Sequence, residues 1–204
     1  MGRSFYFRER LFTQNKYGFS NVYYIKGLPM LPLLNTDRLE LRPLEVDSLK
    51  SFHALNVNPF VRKYLWDDGI IGLDIAKDIL NQNQLLFRQK RFGLWGIYFV
   101  GQEELIGYAG LWYFFAEPQP QLMYALSEDF VGQGIATEAS SRIISYAFED
   151  LNFYYLLAAT DAPHYASQKV AMRLGMELKE KKVVEGKETW FYLLVRQPVK
   201  VGLN

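Results

Sequence analysis

Apolar residues recur at helical spacing in three segments and alternate, or run together briefly, in several shorter ones. From Leu73 to Lys90, the positions Ile75, Ile79, Leu80, Leu86 and Phe87 share one side of a predicted helix. From Thr137 to near Asp150, Ala139, Ile143, Ala147 and Leu151, flanked by Ile144 and Phe148, give a second helix one apolar face for a sheet. A third runs from Ala166 to Leu174 and stops at Gly175, which suits the left-handed residue after a helix end. Asp47 is placed to cap a further helix through Leu55, and Pro59 to Gly72, with Trp66-Asp67-Asp68-Gly69, reads as a loop.

The strand signals fall between these. Arg38 to Leu44 alternates around Leu39 and Leu41 and ends at Pro43. Leu94 to Val100 and Leu105 to Phe115 flank a turn at Gly101-Gln102-Glu103-Glu104, and Gln121 to Leu126 completes an antiparallel meander. Tyr154 to Thr160 is nearly continuous in apolar residues, as expected of a central strand buried on both faces. Val183-Val184 and Thr189 to Val195 close the chain as a hairpin around Glu185-Gly186-Lys187-Glu188. The order is strand, two helices, three strands, helix, strand, helix, two strands.

The chemistry concentrates where the third strand of the meander meets the next helix, at Asp129-Phe130-Val131-Gly132-Gln133-Gly134-Ile135-Ala136-Thr137-Glu138-Ala139. Two glycines one residue apart let the backbone approach a bound group closely, and the first N–H groups of a helix have no partner within it. Such a turn can hold a phosphate or pyrophosphate at the positive end of the helix dipole. Glycines at a strand-to-helix junction can also serve only to turn the chain. The Walker spacing is absent, and a dinucleotide fingerprint would need glycine where Thr137 stands.

Gly132-Gln133-Gly134-Ile135-Ala136-Thr137-Glu138-Ala139 resembles the acetyl-coenzyme A pyrophosphate loop of the GNAT superfamily of N-acetyltransferases, in the branch of the ribosomal-protein N-terminal acetyltransferases. Downstream, His164-Tyr165-Ala166-Ser167-Gln168-Lys169-Val170-Ala171-Met172-Arg173-Leu174-Gly175-Met176 is similar to that branch's Asn-x-Ala-Ser helix and Leu-Gly-Phe/Met ending. Upstream, Thr36-Asp37-Arg38-Leu39-Glu40-Leu41-Arg42-Pro43-Leu44 resembles its first strand. The resemblance covers about residues 35 to 196 and implies an α+β (mixed α/β) GNAT fold, a mostly antiparallel mixed sheet of about seven strands flanked by about four helices.

The resemblance also implies a site. Strand Gln121 to Leu126 would splay from Tyr154 to Thr160, with the pantetheine arm of acetyl-CoA bonded by backbone around Ala125, Leu126 and Ser127. The pyrophosphate would sit against Gly132, Gln133, Gly134, Ile135, Ala136 and Thr137, with a hydroxyl added by Thr137. His164 and Ser167 are the candidate catalytic and cofactor-arm residues, Ser167 as a donor to the departing thiolate or only as a cap of its helix. Three positions depart from the family pattern: Val131 where Gln or Arg is common, His164 where Asn is usual, and Gln121 where a Glu usually stands. The last leaves the general base unassigned. Asp67, Asp68, Glu117 and Glu128 are the acids on nearby loops, and Trp66, Trp112, Tyr113, Phe114 and Phe115 are candidate walls of a partly apolar acceptor cleft or members of the core.

Composition narrows the classes around this site. At 204 residues, 50% hydrophobic and 22% charged, the chain is expected to form one globular domain over residues 35–204, preceded by an aromatic-rich arm over 1–34 with Phe5, Tyr6, Phe7, Phe12, Tyr17, Phe19, Tyr23 and Tyr24 that should pack. A formal net charge of +1, with scattered Lys and Arg, argues against nucleic acid as a partner. Zero cysteines excludes disulfides and thiolate nucleophiles, and two histidines make a metal site improbable. No stretch reaches the ~20 apolar residues of a membrane span, so the expected location is cytoplasmic, as monomer or homodimer. The expected activity is acetyl transfer from acetyl-CoA, as cosubstrate, to a primary amine on a protein N-terminus or a small molecule, by direct attack. The alternative is a CoA-binding sensor or interaction module without turnover.

Overall fold

The computed structural model describes residues 31–115 and 117–197, with the backbone of two short strands before them. The packing expected of the N-terminal arm therefore falls largely outside the described residues. Those short strands, β1 (Tyr24–Ile25) and β2 (Leu28–Pro29), pair with each other.

Eight strands form the main sheet: β3 (Leu34–Asn35), β4 (Leu39–Pro43), β5 (Leu94–Phe99), β6 (Gly107–Trp112), β7 (Gln121–Leu126), β8 (Tyr155–Asp161), β9 (Glu177–Val184) and β10 (Lys187–Val195). Their spatial order is β3-β4-β5-β6-β7-β8-β10-β9. Every neighbouring pair is antiparallel except β7 and β8, which run parallel. Among the described residues five α-helices accompany the sheet: α1 (Leu49–Val57), α2 (Pro59–Leu65), α3 (Leu73–Lys90), α4 (Ile135–Glu149) and α5 (Tyr165–Arg173). The expected mixed, mostly antiparallel class is thus present, with one strand and one helix more than anticipated.

Alternation along the strands sorts the core into two layers. On one face, Leu39, Leu41, Ile97, Ala109, Leu122, Leu126 and Ala158 meet Ile135, Ala139, Ile143 and Ala147 of α4 and Ala171 of α5. On the other, Leu94, Tyr108, Trp112 and Met123 meet Phe52 and Leu55 of α1, Val61 of α2 and Ala76, Ile79 and Leu80 of α3. Strand β6 is buried at all six positions, as a strand covered by helices on both faces must be. Asn83 ties α3 to the sheet. Its side chain is wholly buried, donates to the carbonyls of Leu44 and Leu94, and accepts the Leu94 N–H at 2.6 Å.

Three local expectations are corrected. The segment expected as a loop from Pro59 begins with a helix, because proline at the first helical position loses no needed N–H, and the Asn58 side chain caps the turn by accepting from the Phe60 N–H. Its end is the true turn, where Asp67 and Asp68 both adopt left-handed backbone. Asp47 caps nothing: Val46–Ser48 is a 3-10 turn in which the Ser48 N–H already donates to Glu45, and α1 starts after it. The closing hairpin is longer than its apolar residues suggested, and turns on Glu185 and Gly186 at φ of +52° and +80°.

Candidate active site

The parallel junction of the sheet is also its opening. β7 and β8 are in register at one pair, Gln121 with Leu157, and then part toward their C-terminal ends. The Ser127 N–H donates to the Ile106 carbonyl, so strand alternation turns the backbone of Ala125 toward β6 and that of Tyr124 and Leu126 toward the gap. A cleft of about 410 Å³ fills the gap and runs from Gln121 to the glycine turn beyond β7.

At that turn Gly132 and Gly134 have φ of +84° and +79°, a region in which a side chain is strained. A Cβ on Gly132 would meet no protein atom within 4 Å, so the backbone faces open space there. Gly134 is the N-cap of α4. The first intrahelical donor is the Glu138 N–H, to Gly134, which leaves the N–H groups of Ile135, Ala136 and Thr137 for a ligand. Arg38, just before β4, braces the turn. It pairs with Glu138 at 2.5 Å and donates to the Gln133 carbonyl at 3.2 Å, while the Thr36 hydroxyl donates to the other Glu138 oxygen. Burial raises the Glu138 pKa, but the bonds from Thr36 and Arg38 outweigh it and hold the carboxyl below its ordinary range.

Deeper in, the Tyr124 hydroxyl lies 2.9 Å from both the hydroxyl and the carbonyl oxygen of Ser167. Burial pushes the Tyr124 phenol up to about 12, with the Ser167 bond opposing, so it is protonated at neutral pH. Thr160, on the same face of β8 as Ala158, is 4% exposed and its hydroxyl has no hydrogen-bond partner among the described residues. The His164 ring stacks on Tyr64 of α2, with centroids 3.9 Å apart and planes 8° from parallel. That contact joins α5 to α2 across the cleft.

Of the residues singled out in the sequence, Ala125, Leu126, Gly132, Gly134, Ile135, Ala136, Thr137, His164 and Ser167 line this cleft together. Ser127 and Gln133 do not line it, and the Ser127 N–H is occupied by Ile106. Phe114 and Phe115 form part of its wall, whereas Trp66 and Trp112 are buried in the α1–α3 layer. None of Asp67, Asp68, Glu117 or Glu128 reaches it; Asp67 pairs with Lys187 and Asp68 with Arg62. Tyr124, Thr160 and Arg38 were missed. Tyr124 and Thr160 sit in predicted strands, where a polar side chain carries no mark of the side it will face.

Residues 38–177 match the family model of the acetyltransferase (GNAT) domain. The chain belongs to the GNAT acetyltransferase family. It is 27% identical over 152 residues to the uncharacterized N-acetyltransferase YoaA of Bacillus subtilis (strain 168), covering 72% of this chain and 84% of the relative. It is also similar to the crystal structure of an acetyltransferase from Agrobacterium tumefaciens str. C58, with a TM-score of 0.73 at 24% identity over 88% of this chain and 100% of the other. RimL, a ribosomal L7/L12 alpha-N-protein acetyltransferase solved with coenzyme A, superposes with a TM-score of 0.69 at 19% identity over 80% of this chain and 98% of its own.

As a GNAT enzyme this chain is an acyl-CoA-dependent acyltransferase, and the acetyl donor of the family is acetyl-CoA. The cleft fits that donor. It offers an open glycine turn and unpaired helix N–H groups for a pyrophosphate, and outward backbone at Tyr124 and Leu126 for an extended amide-bearing arm. Among the described residues, no helix is long and apolar enough to cross a membrane.

Proposed function

We propose that residues 35–204 form a catalytic unit that transfers acetyl from acetyl-CoA directly to a primary amine, on a small molecule or at a protein N-terminus, within a ternary complex. The observation that carries this reading is the single β7–β8 register pair, which leaves a gap open from both layers and ending at the glycine turn. Gly132, Gly134 and the N–H groups of Ile135 to Thr137 hold the pyrophosphate, and Tyr124 and Leu126 bond the pantetheine arm. The donor supplies an electrophilic thioester carbonyl. The protein supplies approach and alignment, which convert a bimolecular attack into one within a complex.

The Tyr124–Ser167 pair is the proton source for the departing thiolate, with Ser167 nearest the helix N-terminus and Tyr124 behind it. Incubation with acetyl-CoA and a panel of small amines and N-terminal peptides should release free CoA thiol in step with N-acetylated product. CoA binding without thiol release from any acceptor would favour a sensor and overturn this reading.

A further inference from the structure

The cleft differs in chemistry between its two sides. On the α1–α3 side it is walled by Phe60 and Tyr64 of α2 and by Phe114 and Phe115 after β6. The titratable groups around the whole cleft are Tyr64, Tyr124, Tyr192, His164, Lys169 and Arg173, with no carboxylate among the described lining residues. Lys169, Arg173 and His164 come from α5 and its N-cap, which belong to the other layer.

Gln121 sits in this aromatic wall, on the face of β7 that carries Met123, and is 1% exposed. Its Nε2 donates to the Phe114 carbonyl at 3.3 Å. That bond orients the amide, because the reversed amide would set two carbonyl oxygens against each other. Oε1 is left buried with no hydrogen-bond partner among the described residues. A buried acceptor without a donor is disfavoured, and here one from a ligand would satisfy it.

Resting on the acetyl-transfer reading, we propose that this side of the cleft takes a primary amine that is uncharged at neutral pH and carried on an aromatic body, with Gln121 Oε1 accepting one of its N–H bonds. An amide oxygen orients an N–H but does not remove its proton, and there is no carboxylate to offset a buried ammonium. Ring faces attract cations, yet a bound ammonium has no lone pair with which to attack. The neutral amine reacts in balance: its lone pair forms the C–N bond, the C–S bond breaks, and the nitrogen's surplus proton ends on sulfur. One amine and acetyl-CoA become one N-acetyl amide and CoA thiol.

Aniline and benzylamine share a ring and differ in basicity, so they test this on the wild-type enzyme. With acetyl-CoA, kcat/KM for aniline should be flat between about pH 6 and 9, while that for benzylamine rises about tenfold per pH unit as its neutral fraction grows. A peptide with N-terminal Phe, whose α-amine titrates near 8 and is mostly charged at pH 7, is the macromolecular arm: slower turnover than aniline at pH 7 is expected, and faster turnover would overturn the choice of an uncharged amine. Gln121→Glu, which adds a base, should raise the ratio of benzylamine to aniline turnover at neutral pH at least about tenfold. A flat benzylamine profile at neutral pH, or preference for an aliphatic diamine, would overturn the proposal while leaving acetyl transfer intact. If the variant does not fold, the wild-type profiles alone decide. No turnover of any amine by protein that binds acetyl-CoA would overturn the acetyl-transfer reading and this with it.

Discussion

The hydroxyl of Tyr124, on a strand, stands 2.9 Å from the hydroxyl of Ser167, in the first turn of a helix 43 residues later in the chain. If this pair protonates the leaving thiolate, its bonds matter mainly in the transition state. Ser167→Ala should lower kcat by roughly ten to a hundredfold, about 1.4 to 2.7 kcal/mol, with KM for acetyl-CoA little changed. Tyr124→Phe should act in the same direction. Loss of rate in His164→Ala, with a pH profile shifted near neutrality and a normal Ser167→Ala enzyme, would move the assignment to the histidine.

The same tyrosine makes the fold sensitive to alkali. Its folded pKa, about 12, lies above the ordinary value of 10.0, so the folded state favours the protonated phenol. The stability tied to that proton is fully present below pH ~10 and is lost as the pH rises to ~12, about 3 kcal/mol in all. Burial also raises the phenols of Tyr98, Tyr146 and Tyr192. Thermal melts should therefore fall steeply above pH ~10 in parallel with phenolate absorbance, and Tyr124→Phe should soften the fall.

Gly134→Val places a branched side chain at φ of +79° beside the unpaired N–H groups of α4. Acetyl-CoA affinity measured by calorimetry should drop by roughly a hundredfold or more, with the far-UV spectrum nearly intact. Gly132→Ala meets no protein atom, so its effect should be the backbone strain alone, about 1 to 2 kcal/mol. Retained affinity in Gly134→Val would make the loop a simple turn.

Arg38 holds the Gln133 carbonyl and Glu138 together on the outside of that loop, and its side chain is 48% exposed. Its removal should loosen the turn without unfolding the protein. Arg38→Ala is expected to weaken acetyl-CoA binding about three- to tenfold, near 1 kcal/mol, and the effect should shrink at high salt. An unchanged dissociation constant would show that the turn holds its shape unaided.

Asn83 supplies the stability control, far from the cleft. Asn83→Ala strands the buried Leu44 carbonyl and the Leu94 N–H, while the Leu94 carbonyl keeps the Leu44 N–H, so it should cost about 3 kcal/mol and lower Tm by roughly 6 to 12 °C. Acetyl-CoA affinity of the protein that remains folded should not change.

What the chain determined by itself is local. The 3.6-residue period of Leu73 to Lys90 and the apolar run before Thr160 needed only neighbouring residues to be read, and both elements lie within one residue of where they were expected. The two glycines announced a turn open to close approach for the same reason, since the absence of a Cβ acts at the residue itself, and the structure adds that both are left-handed. Pro59 misled because proline permits a helix start as readily as it forbids a helix interior, and Asn58 decided between them. The site's polar partners were decided only by tertiary structure. Arg38 meets Glu138 across 100 residues and Tyr124 meets Ser167 across 43, distances that no local period spans. A polar residue in a strand has the same sequence signature whether its side chain faces solvent, core or cleft, so the face is set when the register of the whole sheet is set.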